Sequence, residues 1–262
     1  MIGLGLDTAA DTSHPTLFGG LPAETQNYSV YLDGASDRIQ GQNMASTWLQ
    51  VFDADAEFSL HFSLKLDALN GSISFTGTST NFFWIQVNAG GDLNISSSVS
   101  GSSVGNVTFN TNMSTGTWYD IVLTATAPSG GNRTFVCYLN KSSVAVSTTT
   151  PFASSTDVAA TSGKFTMGNF LNIVDYDFRV DRLASWSTVL TAAEVTEIYD
   201  NYPDLTADSG DYAESARLET YYKMEEGSGT TMADSSGNGN NNLTVVNASA
   251  NFWSTDLSLI HI

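Results

Sequence analysis

The chain has 262 residues, 41% of them hydrophobic and 11% aromatic, enough apolar material for one large core or two small ones, so disorder throughout is excluded. Charged residues make up only 14%, against about a quarter in an average soluble domain, so Ser, Thr, Asn and Gly must supply most of the polar surface, a bias toward strands and turns. Nine basic against 27 acidic residues give a net charge of −18, which repels phosphate backbones and anionic headgroups and argues against nucleic acid or a membrane as partner.

The N-terminal stretch 1–27 carries Pro15, Pro22 and little strand patterning, and reads as an arm or linker that orders against a partner. Its opening, Met1 to Asp7, lacks the basic region of a secretory signal, so synthesis and assembly in a host cytoplasm is the expectation. Period-two alternation then dominates. Phe58, Leu60, Phe62, Leu64 and Leu66 share one side of a strand, with Ser59, His61, Ser63 and Lys65 on the other, the pattern of a half-buried antiparallel strand with His61 at the surface. Similar runs are Tyr28, Val30, Leu32; Phe83, Ile85, Val87; Tyr119, Ile121, Leu123; and Phe135, Cys137, Leu139. Turn-rich stretches at Asn70-Gly71, Ala89 to Asp92, Ser129 to Asn132 and Asn140 to Ser143 separate them, and many strands at short spacing predict a sandwich or barrel. Cys137, alone in the chain, reads as a buried thiol.

The densest apolar run, Phe82 to Val87, is far shorter than the roughly 18 residues that cross a bilayer. It is apolar on both sides, so it is either a central strand or one covered by a partner. From Tyr176 through Phe178, Val180, Ala184 and Trp186 the even positions are mostly apolar, while Asp175, Asp177, Arg179 and Asp181 occupy the odd ones. That odd face is a solvated strand face with compensated charge, or else a cation or sugar site using Asp175 or Asp177. Thr191 and Glu194 form a capping box ahead of Val195, Ile198, Tyr199 and Tyr202, and Pro203 ends the run, predicting one short helix near 191–202 on the sandwich edge. A single helix excludes a doubly wound α/β fold.

Tyr28 to Gly34 with Asp37, Trp118 to Leu123, Phe165 to Gly168, and Val180 to Trp186 running into Leu190 to Glu194 together resemble the concanavalin A-like, laminin-G-type jelly roll. A further block, Tyr221 to Gly229 with Asp234 to Asn240, resembles the segment that precedes the first of these strands in many such modules. Here it follows the helix. Some 40 residues are too few for an independent core, so 215–262 is expected to fold back like a circular permutation and close a single domain over 28–262, with a truncated second repeat as the alternative. The implied architecture is all-β: a two-sheet antiparallel jelly-roll sandwich with one short edge helix.

The resemblance implies a calcium ion at a sandwich rim, held by oxygen ligands from several loops. Asp33, Asp37 and Asp234 stand in the resembling blocks, with Asn238 as a further ligand; a plain chain-reversing turn is the competing account of Asp234. Sandwich glycosidases of the same superfamily carry Glu-x-Asp-x-x-Glu on one strand, and no such string occurs in this chain. Gly101 to Gly105 fits Gly-x-Ser-x-Gly, but strands on both sides leave no strand-to-helix elbow. The expectation is therefore a protein without catalytic residues. Trp84 and Tyr138, opposite the clearest apolar rows, are candidate sugar-stacking rings, since flat apolar sugar faces pack on exposed aromatics; Asp175 and Asp177 join them as candidate glycan contacts.

The reading that combines these features is a virion structural protein: a lectin-like capsid decoration, fibre or tail component of a bacteriophage. Its arm would meet other virion proteins, its sandwich a host-surface glycan, and it would be a homo-oligomer. The alternatives are a secreted bacterial carbohydrate-binding or adhesion module, extracellular in location, and a polysaccharide-degrading sandwich enzyme.

Overall fold

The computed structural model describes residues 26–34, 37–41, 56–77, 82–127, 129, 132–150, 152–153, 164–168, 177–239, 242–247 and 252–257. In chain order the strands are β1 (Ser29–Asp33), β2 (Arg38–Gly41), β3 (Phe58–Leu66), β4 (Gly71–Gly77), β5 (Phe82–Val87), β6 (Leu93–Val99) and β7 (Ser102–Phe109). There follow β8 (Trp118–Ala125), β9 (Asn132–Arg133), β10 (Phe135–Leu139), β11 (Ser142–Val144), β12 (Val146–Thr150), β13 (Phe152–Ala153), β14 (Lys164–Gly168) and β15 (Asp177–Trp186). After the helix α1 (Ala192–Asn201) come β16 (Leu218–Tyr222), β17 (Thr231–Met232), β18 (Leu243–Val246) and β19 (Trp253–Ser254). No helix among the described residues is long and apolar enough to cross a membrane.

Among the described residues these strands form two large antiparallel sheets. One runs β11-β10-β8-β3-β15-β1-β19, with β16 also paired to β15; the other runs β12-β7-β6-β5-β4-β14-β2-β18-β17. We call them the back and front sheets. Alternation places Val30, Leu32, Phe58, Leu60, Phe62 and Leu64 on the inner side of the back sheet, against Phe83, Ile85, Leu93, Ile95 and Phe109 of the front sheet, in one continuous core. The last strands share it: β16 and β19 join the back sheet, β17 and β18 the front sheet, and Tyr222, Met224, Met232, Leu243, Val245 and Phe252 lie in the common interior.

The outer side of the back sheet holds a second apolar layer. Trp186, Ala184 and Val122 project from the sheet into Leu190, Val195 and Ile198, with Leu205, Tyr212 and Tyr221 completing the cluster. Helix α1 begins at the capping box: Thr191 accepts from the Glu194 amide at 3.3 Å, and the Glu194 carboxylate accepts from the Thr191 amide at 2.7 Å. It ends at Tyr202 in a left-handed conformation.

This layer corrects two expectations. His61 is completely buried rather than at the surface, because the polar side of β3 faces the helix layer and not solvent; its Nε2 lies 2.7 Å from an Asp120 oxygen, and Ser63 donates to the same oxygen at 3.2 Å. The even positions of β15 do not share one face. Arg182 has φ +47° and the ladder shifts register between Asp181 and Leu183, so Phe178, Val180 and Leu183 enter the inter-sheet core while Ala184 and Trp186 enter the helix layer. One inserted residue exchanges the faces beyond it. The bulge also buries two ionisable side chains: Arg182 donates to Tyr221 Oη at 3.0 Å and to the Pro203 carbonyl, and stacks 3.7 Å from the Tyr202 ring centre. Asp181, fully buried, accepts from Gln26, and burial pushes its carboxyl well above the usual carboxylate range.

Candidate functional site on the front sheet

The outer side of the front sheet contrasts with that layer: among the described residues no hydrophobic cluster covers it. β5 lies inside the sheet, between β4 and β6. Its inward side chains Phe83, Ile85 and Val87 are buried, and Phe82, Trp84 and Gln86 point outward, half-buried. Cross-strand register sets out two rows on this face: Trp84, Ser96, Asn106, Thr150, and beside it Gln86, Asn94, Thr108, Thr148.

The second row is a ladder of side-chain hydrogen bonds. Gln86 Nε2 donates to Asn94 Oδ1 at 2.9 Å; Asn94 Nδ2 donates to Thr108 Oγ1 at 2.7 Å and to Asn106 Oδ1 at 3.1 Å. A closed ladder of this kind fixes which amide oxygens and nitrogens remain turned outward. Beside it, the Trp84 ring meets Phe82 edge-on, 6.0 Å between centres. The Trp84 indole N–H is buried with no hydrogen-bond partner, as is the Thr166 hydroxyl of β14. β4 separates β14 from β5, and Phe75 of β4 is the register partner of both Thr166 and Trp84. Buried donors are normally paired, and among the described residues this stretch of the face offers these two no acceptor. From β5 to β12 the two rows carry no charged side chain, in a chain of net charge −18.

The remaining sequence candidates lie elsewhere. Tyr138 is on the outer side of the back sheet, partly buried against the helix layer, so it and Trp84 belong to opposite surfaces. Asp177 is also on the back sheet, opposite Asp33, and takes a hydrogen bond from Tyr31, whose hydroxyl is raised to about 12 by burial and by that carboxylate. Arg179 does not neutralise Asp177 and Asp181; it pairs with Asp67 and Asp256 and lies 4.4 Å from the Tyr31 ring centre. Asp175 falls outside the described residues.

The three candidate calcium ligands do not form one rim site. Asp33 pairs with Asp177 at one end of β15, whereas Asp234 caps β16 by accepting the Tyr221 amide, and Tyr221 pairs with Ala184 near the other end. Seven residues of strand separate the two, on the order of 20 Å. Asp37 is buried, with its backbone carbonyl beside Gly168. Asp234 also accepts the Ser236 amide, and Asn238 donates to the Leu218 and Glu219 carbonyls, so both ligate backbone, as a chain-reversing turn does. Among the described residues no group of three or more His, Cys, Asp or Glu is placed to hold a metal ion. Ser100 and Gly101, both at positive φ, make the β6–β7 turn, and Ser102 to Gly105 are the first residues of β7, so the string has a strand after it and not a helix. Cys137 is buried, its thiol pushed up to about 12 by desolvation.

Sequence reasoning singled out Trp84 and did not reach the ladder beside it. The signal was present: once Ser100-Gly101 is taken as a hairpin turn, the pairing sets Asn94 against Thr108 and Ser96 against Asn106.

Two antiparallel sheets, one sealed on its outside and one presenting a polar face with a half-buried indole, define a lectin-like sandwich. The family model described as the concanavalin A-like lectin/glucanases superfamily matches residues 33–196, and the chain belongs to that superfamily. A Bacteroides ovatus protein proposed to bind carbohydrate superposes with a TM-score of 0.55 at 15% identity, over 86% of this chain and 59% of that one. The chain thus spans less than two thirds of that protein. A heptameric SAP-like pentraxin from Limulus polyphemus gives a TM-score of 0.48 at 14% identity over 85% of this chain and 96% of its own. The CBM40 of a Ruminococcus gnavus IT-sialidase, bound to α2,3 sialyllactose, gives 0.44 at 13% identity over 66% and 97%. The comparison with curated proteins finds no match.

Proposed function

We propose that the chain is a carbohydrate-binding module without catalytic residues, and that it binds glycan on the outer face of the front sheet. The observation that carries this reading is Trp84: a half-buried ring beside a self-bonded amide ladder, its N–H lacking an acceptor. Such a surface offers what a sugar needs, an apolar plane for the ring face and fixed donors and acceptors for the hydroxyls. The superfamily membership and the likeness in fold to a protein proposed to bind carbohydrate support the binding reading over the particle-shell reading. The back sheet offers no comparable surface where the helix layer lies on it.

The test is a glycan array followed by isothermal titration with the best oligosaccharide. Wild type should bind, Trp84→Ala should lose on the order of tenfold or more in affinity, and Asn94→Ala, which unlinks the ladder, should lose less. A reducing-sugar assay on the same ligands should show no release. Failure of every glycan, or cleavage, defeats the proposal.

A further inference from the structure

The four terminal strands of the two sheets are unequal. On one side of the sandwich the sheets end in β17 and β19, two residues each, and very short strands are a common way to blunt an edge. On the other side they end in β11 and β12, which belong to one continuous segment, Ser142 to Thr150. That segment consists only of Ser, Thr, Val and Ala; Lys141 precedes it and Pro151 follows it. It has neither charge nor proline within it, the usual guards of an exposed strand.

β12 is also uncovered. All five of its residues are exposed, and among the described residues it pairs with β7 alone. Val146 stands opposite Phe109, a fully buried core residue, yet is 46% exposed and is the one exposed large hydrophobic among the described residues. A core-register position left open beside a row of strand-forming β-branched residues marks a place where another strand fits.

We infer that β12 is a self-association edge, and that its occupant is β12 of a second copy of this chain, paired antiparallel about a two-fold axis so that the two front sheets become one. Charge selects this partner. The net charge of −18 makes most contacts between copies repulsive, whereas β12 against itself sets Ser, Thr and Val opposite Ser, Thr and Val with no carboxylate in the pair. Because the contact is isologous, each copy consumes its own edge and the assembly closes as a dimer instead of growing. The Gln86, Asn94, Thr108, Thr148 row would then run on into the partner's row, placing two Trp84 faces on one surface; the dimer itself stands independently of what those faces bind.

Sedimentation equilibrium from micromolar to submillimolar protein tests this. Wild type should reach the mass of two chains and stop there. Thr148→Lys, which brings like charges together across the axis at a fully exposed position, should raise the dimer dissociation constant at least tenfold while leaving the thermal midpoint unchanged at concentrations low enough that both proteins are monomeric. Thr148→Cys, with Cys137 buried, should give an intermolecular disulfide under mild oxidation. A wild type that stays monomeric throughout, growth beyond two chains, or a dimer indifferent to Thr148→Lys each overturns the inference.

Discussion

The two outer faces of the sandwich start from the same alternating pattern and end differently. On the back sheet the outward residues of β3, β8 and β15 lie under α1 and the segment leading to β16, so His61, Ser63, Asp120, Asp181 and Arg182 are all but fully buried. On the front sheet Phe82, Trp84, Gln86, Ser96, Asn106 and Thr108 point outward half-buried, and the buried Asn94 ties Gln86, Asn106 and Thr108 together. Burial turns polar residues into structural ones, since each must be paired at fixed geometry. Partial exposure leaves them available to a ligand. The lesson is that a polar strand face becomes a site or a seam according to what the rest of the chain lays over it.

That contrast can be broken by substitution, and the covered face should respond most in stability. Trp186, whose indole N–H donates to Tyr212 Oη at 2.9 Å, is fully buried, and Trp186→Ala should cost about 3–5 kcal/mol in denaturant unfolding. Trp84→Ala should cost less than half as much, and equal losses would erase the distinction between the faces. Asp120→Ala strands His61 in the helix layer and should cost about 3 kcal/mol, whereas the polar-to-apolar exchange Asn94→Ala on the open face should cost about 1–2 kcal/mol. Thr191→Ala removes the side-chain half of the helix cap for about 1 kcal/mol.

Titration sharpens the same comparison. Burial raises the Asp181 carboxyl well above its unfolded value near 3.8, so the folded state holds that proton more tightly. The resulting contribution to stability is fully present below the unfolded value and is lost as pH rises through the folded one. Asp181→Asn should therefore flatten the decline in unfolding free energy as pH rises from the unfolded value to the folded one; an unchanged pH profile would show that the carboxyl is not sealed. Asp256 behaves oppositely. Lys65 at 2.6 Å and Trp118 at 3.3 Å outweigh its partial burial and hold its carboxyl below the usual range, so its contribution is present above the unfolded value and lost as pH falls.

The alternation of Phe58 to Leu66, the capping box at Thr191 and the blocks from Tyr28 to Glu194 made the all-β class, the helix and the superfamily legible in the amino-acid order alone. What stayed hidden depended on distant chain. His61 reads as a surface residue until α1 is laid over β3. The faces of β15 cannot be assigned without the bulge at Arg182, which no local pattern announces. Trp84 and Tyr138 look equivalent along the chain because alternation defines a side of a strand and not which sheet, or which of two outer faces, that side belongs to. Asp33 and Asp234 share resembling motifs but stand at opposite ends of β15.

The most direct measurement is a pair of titrations with one array-selected oligosaccharide, comparing Trp84→Ala and Tyr138→Ala with wild type. Loss of binding in the first and wild-type affinity in the second places the ligand on the front sheet. Equal affinity in both variants, or loss confined to Tyr138→Ala, contradicts that placement.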